Sequence, residues 1–327
     1  MQVSFKHWLI VLAALLIAAT SALGQGYPNR TVKVIVGYAA GGGPDSAARV
    51  LNQKLTQILG QSFVSENKPG ASGTLATAYV ATSPPDGYTL LLGDTGQLVV
   101  APNIIKGLPY NTIKDLTPVS RFYLSGGILI VSNAKTSIKT LEDLVREAKA
   151  NPGKLSYGSS GFGSIHHIFM EVFKASTGVN IVHIPYKGTG QSTPAILSGE
   201  IPVLLSAMPS MWPHLKAGKI NLLAVGSNAR LVSYPDVPSL SEFIKDFDFA
   251  TDFGILGPAG LAPEVLTRLS GAIKQATESP DFIDKFKESG ATIEFASPGE
   301  YADSIRRKLR IYEQAIKRAN IQPMTTK

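Results

Sequence analysis

The residues with chemical potential fall in four short stretches, each built from glycine and hydroxyl side chains. They are "AAGGGPD" (Ala39 to Asp45), "GDTGQL" (Gly93 to Leu98), "YGSSGFGSIHH" (Tyr157 to His167) and "YKGTGQ" (Tyr186 to Gln191). Glycine lets main-chain N–H groups approach a ligand closely, and serine or threonine adds a rotatable hydroxyl. The first stretch opens a helical pattern, and a helix N-terminus favours negative charge, so a carboxylate suits a pocket there. A tight connection that uses glycine only for backbone freedom is the alternative for that loop taken alone. Asp45 has two readings: cap of the following helix, or holder of a ligand's amino or hydroxyl group.

Other chemistries are missing their residues. From Gly41 the third glycine of a dinucleotide fingerprint is Ser46, and no Gly-Lys-Ser/Thr follows, so neither nucleotide loop is present. No G-x-S-x-G fits Ser159 to Ser164, which removes the nucleophile elbow. His166 and His167 are adjacent, about 100° apart on a helix, whereas helical metal pairs use i, i+4; capping or buried hydrogen-bonded imidazoles are the ordinary reading. With no carboxylate pair, Ser-His-Asp order or metal cluster, binding outranks catalysis, and neither an enzyme nor a cofactor is implied.

These loops need strands and helices to aim them. "TVKVIVGY" (Thr31 to Tyr38) reads as a buried strand, and "DSAARVLNQKLTQILG" as a helix with Ala47, Leu51, Leu55 and Ile58 on one face, stopping at Gly60. "KLSYG", "NIVHIPY", "IPVLLSA" and "INLLAVGS" alternate with helical segments between Lys154 and Ser227, the signature of parallel βαβ units. Ligand sites in such sheets lie at the carboxyl ends of the strands, where these loops fall. The chain is read as leaving a first domain near Arg121 to Leu129 and returning near Phe249 to Leu256, two crossings that make a hinge and a cleft. Three helical patterns follow, Pro263 to Thr277, Asp281 to Ser289 and Pro298 to Ala319, with "ATIEFA" between the last two.

The start, "MQVSFKHWLIVLAALLIAATSALGQG", has the three-part layout of a secretory signal peptide, with cleavage expected after Gly24. Its apolar run is too short for a retained membrane span. The chain of 327 residues has no cysteine, which excludes disulfides and thiolate sites, and its net charge of +7 suits anionic partners without naming them. "IRRKLRIYEQAIKR" carries six Lys or Arg beside Ile305, Leu309, Tyr312 and Ile316 at helical spacing. A solvated outer face is the expectation for those charges, as it is for Lys187, and a nucleic-acid role is not expected.

In order along the chain, "YAAGGGPDSAARVLNQKLTQILGQSFVSENKPGASG", "PPDGYTLLLG", "LPYNTIKDLTPVS", "NPGKLSYGSSGFGS", "VHIPYKG", "PHLKAGKINLLAV" and "PDVPSLSE" resemble the signatures of the Bug-type extracytoplasmic solute receptors of tripartite tricarboxylate transporters. The resemblance covers essentially the whole chain after the leader. It implies an α/β, two-domain periplasmic-binding-protein fold of the type II-like, Venus-flytrap kind, with two hinge-crossing strands. The expected division is a signal peptide at 1–24, a discontinuous domain of 25–125 plus 249–327, and a second domain of 126–248.

The resemblance also implies a small carboxylate ligand: a di- or tricarboxylate, an acidic amino acid or an aromatic acid. Membrane permease subunits would be transient partners of a periplasmic monomer. A sensor or scavenger that binds the same ligand is the alternative function, and a periplasmic hydrolase the less favoured one. By position the ligand contacts carry over onto Tyr38, Ala40, Gly41, Gly42, Gly43, Asp45, Thr95, Ser159, Ser160, Gly161, Phe162, Gly163, Ser164, Thr189, Gly190, Ser206, Asp252 and Phe253. Departures from the family pattern are Ala40 in place of proline, Phe162 in place of a small polar residue, and His166 in place of a small one. A bulky Phe162 is expected to give the cleft an aromatic wall and favour an aromatic or apolar-bodied acid.

Overall fold

The computed structural model describes residues 26–124, 127–227, 229–231, 233–244, 247, 249–286, 291–318 and 321–325. The expected signal peptide lies outside the described residues. The chain begins with β1 (Val32–Val36), α1 (Gly43–Leu59), β2 (Phe63–Asn67), α2 (Thr74–Ala81) and β3 (Thr89–Asp94). A π-helical turn at Gly96–Val100, α3 (Ala101–Ile104) and β4 (Ile105–Lys106) lead to β5 (Leu116–Leu124). Next come β6 (Ile128–Asn133), α4 (Leu141–Ala150), β7 (Ser156–Ser159), α5 (Ile165–Thr177) and β8 (Val182–Pro185). They are followed by α6 (Thr189–Ser198), β9 (Val203–Ala207), α7 (Met208–Lys216) and β10 (Ile220–Val225). The last part holds β11 (Asp252–Pro258), α8 (Pro263–Thr277), α9 (Pro280–Asp284), β12 (Thr292–Ala296), α10 (Pro298–Arg318) and β13 (Met324–Thr325).

Two mixed sheets result, ordered β12-β5-β11-β3-β1-β2 and β10-β6-β9-β7-β8, while β13 pairs with β4. Helices linking successive strands make β1, β2 and β3 parallel in one sheet and β7, β8 and β9 parallel in the other. The four strands read as parallel units, β7, β8, β9 and β10, all run the same way, whereas the crossing strands β6 and β11 are each antiparallel to both their neighbours. The cause is topological: these are the strands by which the chain enters each sheet from the other, with no crossover helix to turn it round. Ile128 therefore starts β6 opposite Ala207, the end of β9, and Phe253 near the start of β11 faces Asp94, the end of β3. Thus β6 and β11 each start at the edge where the parallel strands finish.

Packing follows the sequence pattern. In α1, Ala47, Leu51, Leu55 and Leu59 are buried against β1, β2 and α8, and Gly60, at φ +72°, ends the helix in the left-handed region. In α10, Tyr301, Ile305, Tyr312 and Ile316 face inward. One apolar cluster runs through both sheets' flanking helices: Phe169 of α5 meets Phe247 and Phe249 edge-on, and Phe249 meets Tyr312 of α10 at 5.0 Å. Beside it the two crossing segments are tied by main-chain bonds, Gly226 N–H to Ile128 O and Phe249 N–H to Gly226 O, both 2.7 Å. A Cβ at Gly226 would sit 2.2 Å from the Phe169 ring, so only glycine lets the backbone come this close.

Candidate ligand-binding site

Between the two sets of strand ends lies a small cavity of about 50 Å³. Four helices begin on its wall. Gly42, Gly43 and Pro44 open α1; Ile165 and His166 open α5; Gly188, Thr189 and Gly190 open α6; Ala207, Pro209 and Ser210 bracket the start of α7. No side chain caps α1, α6 or α7, and Pro44 and Pro209 in the first turns of α1 and α7 carry no N–H of their own. No lysine or arginine is among the described lining residues. The lobes already touch here: a Cβ at Gly42 would meet Thr189 Oγ1 at 3.3 Å, and Ser72 Oγ donates to the Phe162 carbonyl at 2.9 Å.

Each loop is shaped by polar side chains behind it. Asp45 is buried and fully used: Oδ2 accepts from Gly41 N–H at 3.0 Å and Arg49 Nε at 2.9 Å, and Oδ1 accepts from Asn67 Nδ2 at 2.9 Å. Burial pushes its carboxyl upward, but Arg49, the Gly41 amide and Asn67 together hold it below the usual carboxylate range. Asp45 thus neither caps α1 nor faces the cavity; it holds Gly41 at φ +82°, a left-handed turn suited to glycine. In the second sheet, Ser159 Oγ lies 2.7 Å from His183 Nε2 and accepts from Gly161 N–H at 3.0 Å, while Ser164 caps α5 through His167 N–H.

Thr95 and Asp252 bond to each other rather than line the cavity: Thr95 Oγ1 donates to Asp252 Oδ1 at 2.6 Å. Asp252 Oδ2 is ion-paired at 3.0 Å with Lys308, whose side chain is only 16% exposed. This corrects the expectation that the basic face of α10 is wholly solvated. Lys308 falls three residues after Ile305 and four before Tyr312, on the buried stripe, and that spacing was the available signal. Burial raises the Asp252 carboxyl, yet Lys308, Thr95 and Arg121 bring it below its ordinary range. Asp94 differs: it lines the cavity, bonds to Tyr38 and to Gln97 N–H, and burial, aided by the nearby Asp252, lifts it to about 6.

Of the residues carried over from the family, the cavity gathers Tyr38, Gly42, Gly43, Ser160, Thr189, Gly190 and Phe253. Gly161 and Phe162 line an adjoining outer groove of about 630 Å³ that shares Tyr38, Ala39 and Ser160 with the cavity. The aromatic wall expected of Phe162 is therefore displaced outward: its ring is 60% exposed and rests 4.8 Å from His167, which stacks on His183 at 4.2 Å. Ala40, Gly41, Ser159, Gly163, Ser164 and the buried Ser206 line neither space, Ser159 being turned to His183 and Gly161 instead. The expected ligand contacts left out Asp94 and Ser210, and His166, read as a capping or buried hydrogen-bonded imidazole, is buried and bonded to Ser160 but also lines the cavity. The strand-end rule that found the other loops also points to Ser210, three residues after "LLSA" ends.

The family model described as "Tripartite tricarboxylate transporter family receptor" matches residues 47–321. The chain belongs to this family. The receptor is 34% identical over 289 residues to protein BugT of Bordetella pertussis, covering 86% of this chain and 88% of that one. The solved structure of R. palustris Rpa4515 with adipate matches with a TM-score of 0.86 at 30% identity, over 91% of the receptor and all (100%) of that chain. MatC (Rpa3494) from Rhodopseudomonas palustris with bound malate gives 0.83 at 26% identity, over 89% and 100%. The receptor thus shares a two-domain periplasmic-binding-protein fold with proteins that bind solutes and are not enzymes. Among its described residues no helix is long and apolar enough to cross a membrane.

Proposed function

We propose that this receptor, exported with loss of its leader, traps a small organic acid between two lobes and passes it to the membrane subunits of a tripartite transporter. The observation that carries the reading is the convergence of four helix N-termini, three without a side-chain cap, on one cavity with no lysine or arginine among its described lining. Each N-terminus is equivalent to roughly half an elementary charge, about two in all, which suits a dicarboxylate. The lobes are residues 25–125 with 249–327 and residues 126–248, closing about the paired segments at Ile128, Gly226 and Phe249. Main-chain amides at Gly42, Gly43 and Gly190 and hydroxyls of Thr189 and Ser210 are the ligand's contacts.

Adipate bound to Rpa4515 and malate bound to MatC support the ligand class. A cavity of about 50 Å³ suits a short acid, and a longer chain extends into the outer groove beside Phe162. Thermal unfolding of the mature protein with malate, succinate, adipate and benzoate tests the reading, alongside native mass spectrometry of the freshly purified protein. At least one acid should raise the melting temperature, and Gly42→Val, which wedges a side chain toward Thr189, should weaken its binding by about tenfold or more. No stabilisation by any acid and no co-purified acid would overturn the proposal.

A further inference from the structure

We infer that His166 Nε2 donates a hydrogen bond to one carboxylate oxygen of the bound acid, making this imidazole a specificity-determining contact that the family's signature loops do not supply. The inference rests on the cavity's being an organic-acid site and names the side chain that orients the acid within it. His166 is the second residue of α5, lines the cavity and is 8% exposed. Its Nδ1 lies 2.7 Å from Ser160 Oγ, whereas Nε2 is buried and has no protein partner among the described residues. A buried polar nitrogen without a partner is rare, and the side chain that carries it lines the space the four helix ends face.

The protonation state fits a donor. Burial alone pushes the imidazole down to about 4, so the ring is neutral at pH 7 with one N–H. When the Ser160 hydroxyl donates to Nδ1, that proton sits on Nε2, the nitrogen with no protein acceptor. The other titratable groups on the cavity wall, Tyr38 and Asp94, are bonded to each other, and the neighbouring His167 is stacked on His183. The helix ends supply charge, and His166 supplies direction. An amide or ester of the same acid can accept this bond but gains less from the helix ends.

The test titrates malate, succinate and adipate into the mature receptor and its variants by calorimetry. His166→Phe keeps a ring and loses the donor; it should bind the preferred acid roughly 10- to 100-fold more weakly. His166→Gln, whose amide nitrogen can approach the Nε2 position, should recover part of that loss, and Ser160→Ala, acting through the imidazole, should lose only a few-fold. Nitrogen-15 NMR of the unaltered receptor should show His166 protonated at Nε2 in the complex, a readout that does not depend on a variant folding. Undiminished binding by a folded His166→Phe, or a complex with Nε2 unprotonated, overturns the inference while leaving the receptor reading intact. Absence of binding by every acid to the unaltered protein overturns both.

Discussion

The molecule treats negative charge in two ways only a few residues apart. Its resident carboxylates, Asp45 and Asp252, are each buried and answered by a basic side chain plus uncharged donors: Arg49, Gly41 N–H and Asn67 for one, Lys308 and Thr95 for the other. The cavity between the lobes is faced by helix ends, hydroxyls and the neutral imidazole of His166, with no lysine or arginine in its described lining. A permanent charge gains from a permanent partner, because removing either leaves the other stranded in low dielectric. A charge that comes and goes is better met by dipoles, which are held in place by their own helices and leave no unpaired cation when the site empties.

The strongest test of the resident half is Lys308→Met. It leaves Asp252 buried without its cation and should destabilise the protein by about 3–5 kcal/mol, read as a lowered urea midpoint. Adding Asp252→Asn should return most of the loss, because the stranded charge is gone. Equal stability of Lys308→Met and the unaltered protein would dissolve the distinction between the two regions.

Asp94 sits at the border, on the cavity wall but without a cation of its own, and sharpens the comparison through pH. Its folded value of about 6 lies above the ordinary 3.8, so its ionised form is penalised in the folded state. Stability should therefore fall as pH rises from about 4 through about 6, opposite in sign to the contributions of Asp45 and Asp252, which are lost only as pH drops below the ordinary carboxylate range. Asp94→Asn should be more stable than the unaltered protein at pH 8 by roughly 1–3 kcal/mol and indistinguishable from it near pH 4. Thermal melts across that range check it, and a gap of constant size would show that ionisation at Asp94 is not the cause.

How far the sequence reached depends on the range of the interactions involved. Strand runs, helix faces and glycine loops are written in residues close along the chain, and the strand-end rule brought Gly42, Gly43, Ser160, Thr189 and Gly190 to one place. The family resemblance, drawn from motifs spread along the chain, carried the two-lobed architecture. What escaped depends on partners far away. Thr95 and Asp252 are separated by 157 positions and Asp252 and Lys308 belong to different elements, so their bonds are set by how β3, β11 and α10 meet. The direction of β6 and β11 likewise depends on which edge the chain crosses, and nothing in their apolar runs records it. Asp45 was legible as a polar residue at a helix start, but its use by Gly41, Arg49 and Asn67 became visible only with β2 in place.

The smallest expected effect concerns salt and separates the cavity from its mouth. Fixed dipoles around an enclosed ligand are poorly screened by mobile ions, so the affinity of a short acid such as malate should change by less than about threefold between about 0.05 and about 0.5 M NaCl. The outer groove is different because Lys187 is exposed on its wall, within reach of solvent ions. An acid long enough to carry its second carboxylate past Phe162 gains an exposed ion pair there, worth little and screened by salt. Calorimetry with malate and adipate over the same salt range should therefore give a flat line for the first and a shallow fall for the second, and Lys187→Gln should flatten the second. A steep fall for both would mean that a basic side chain reaches the bound acid after all, and the contrast between resident and visiting charge would fail at its centre.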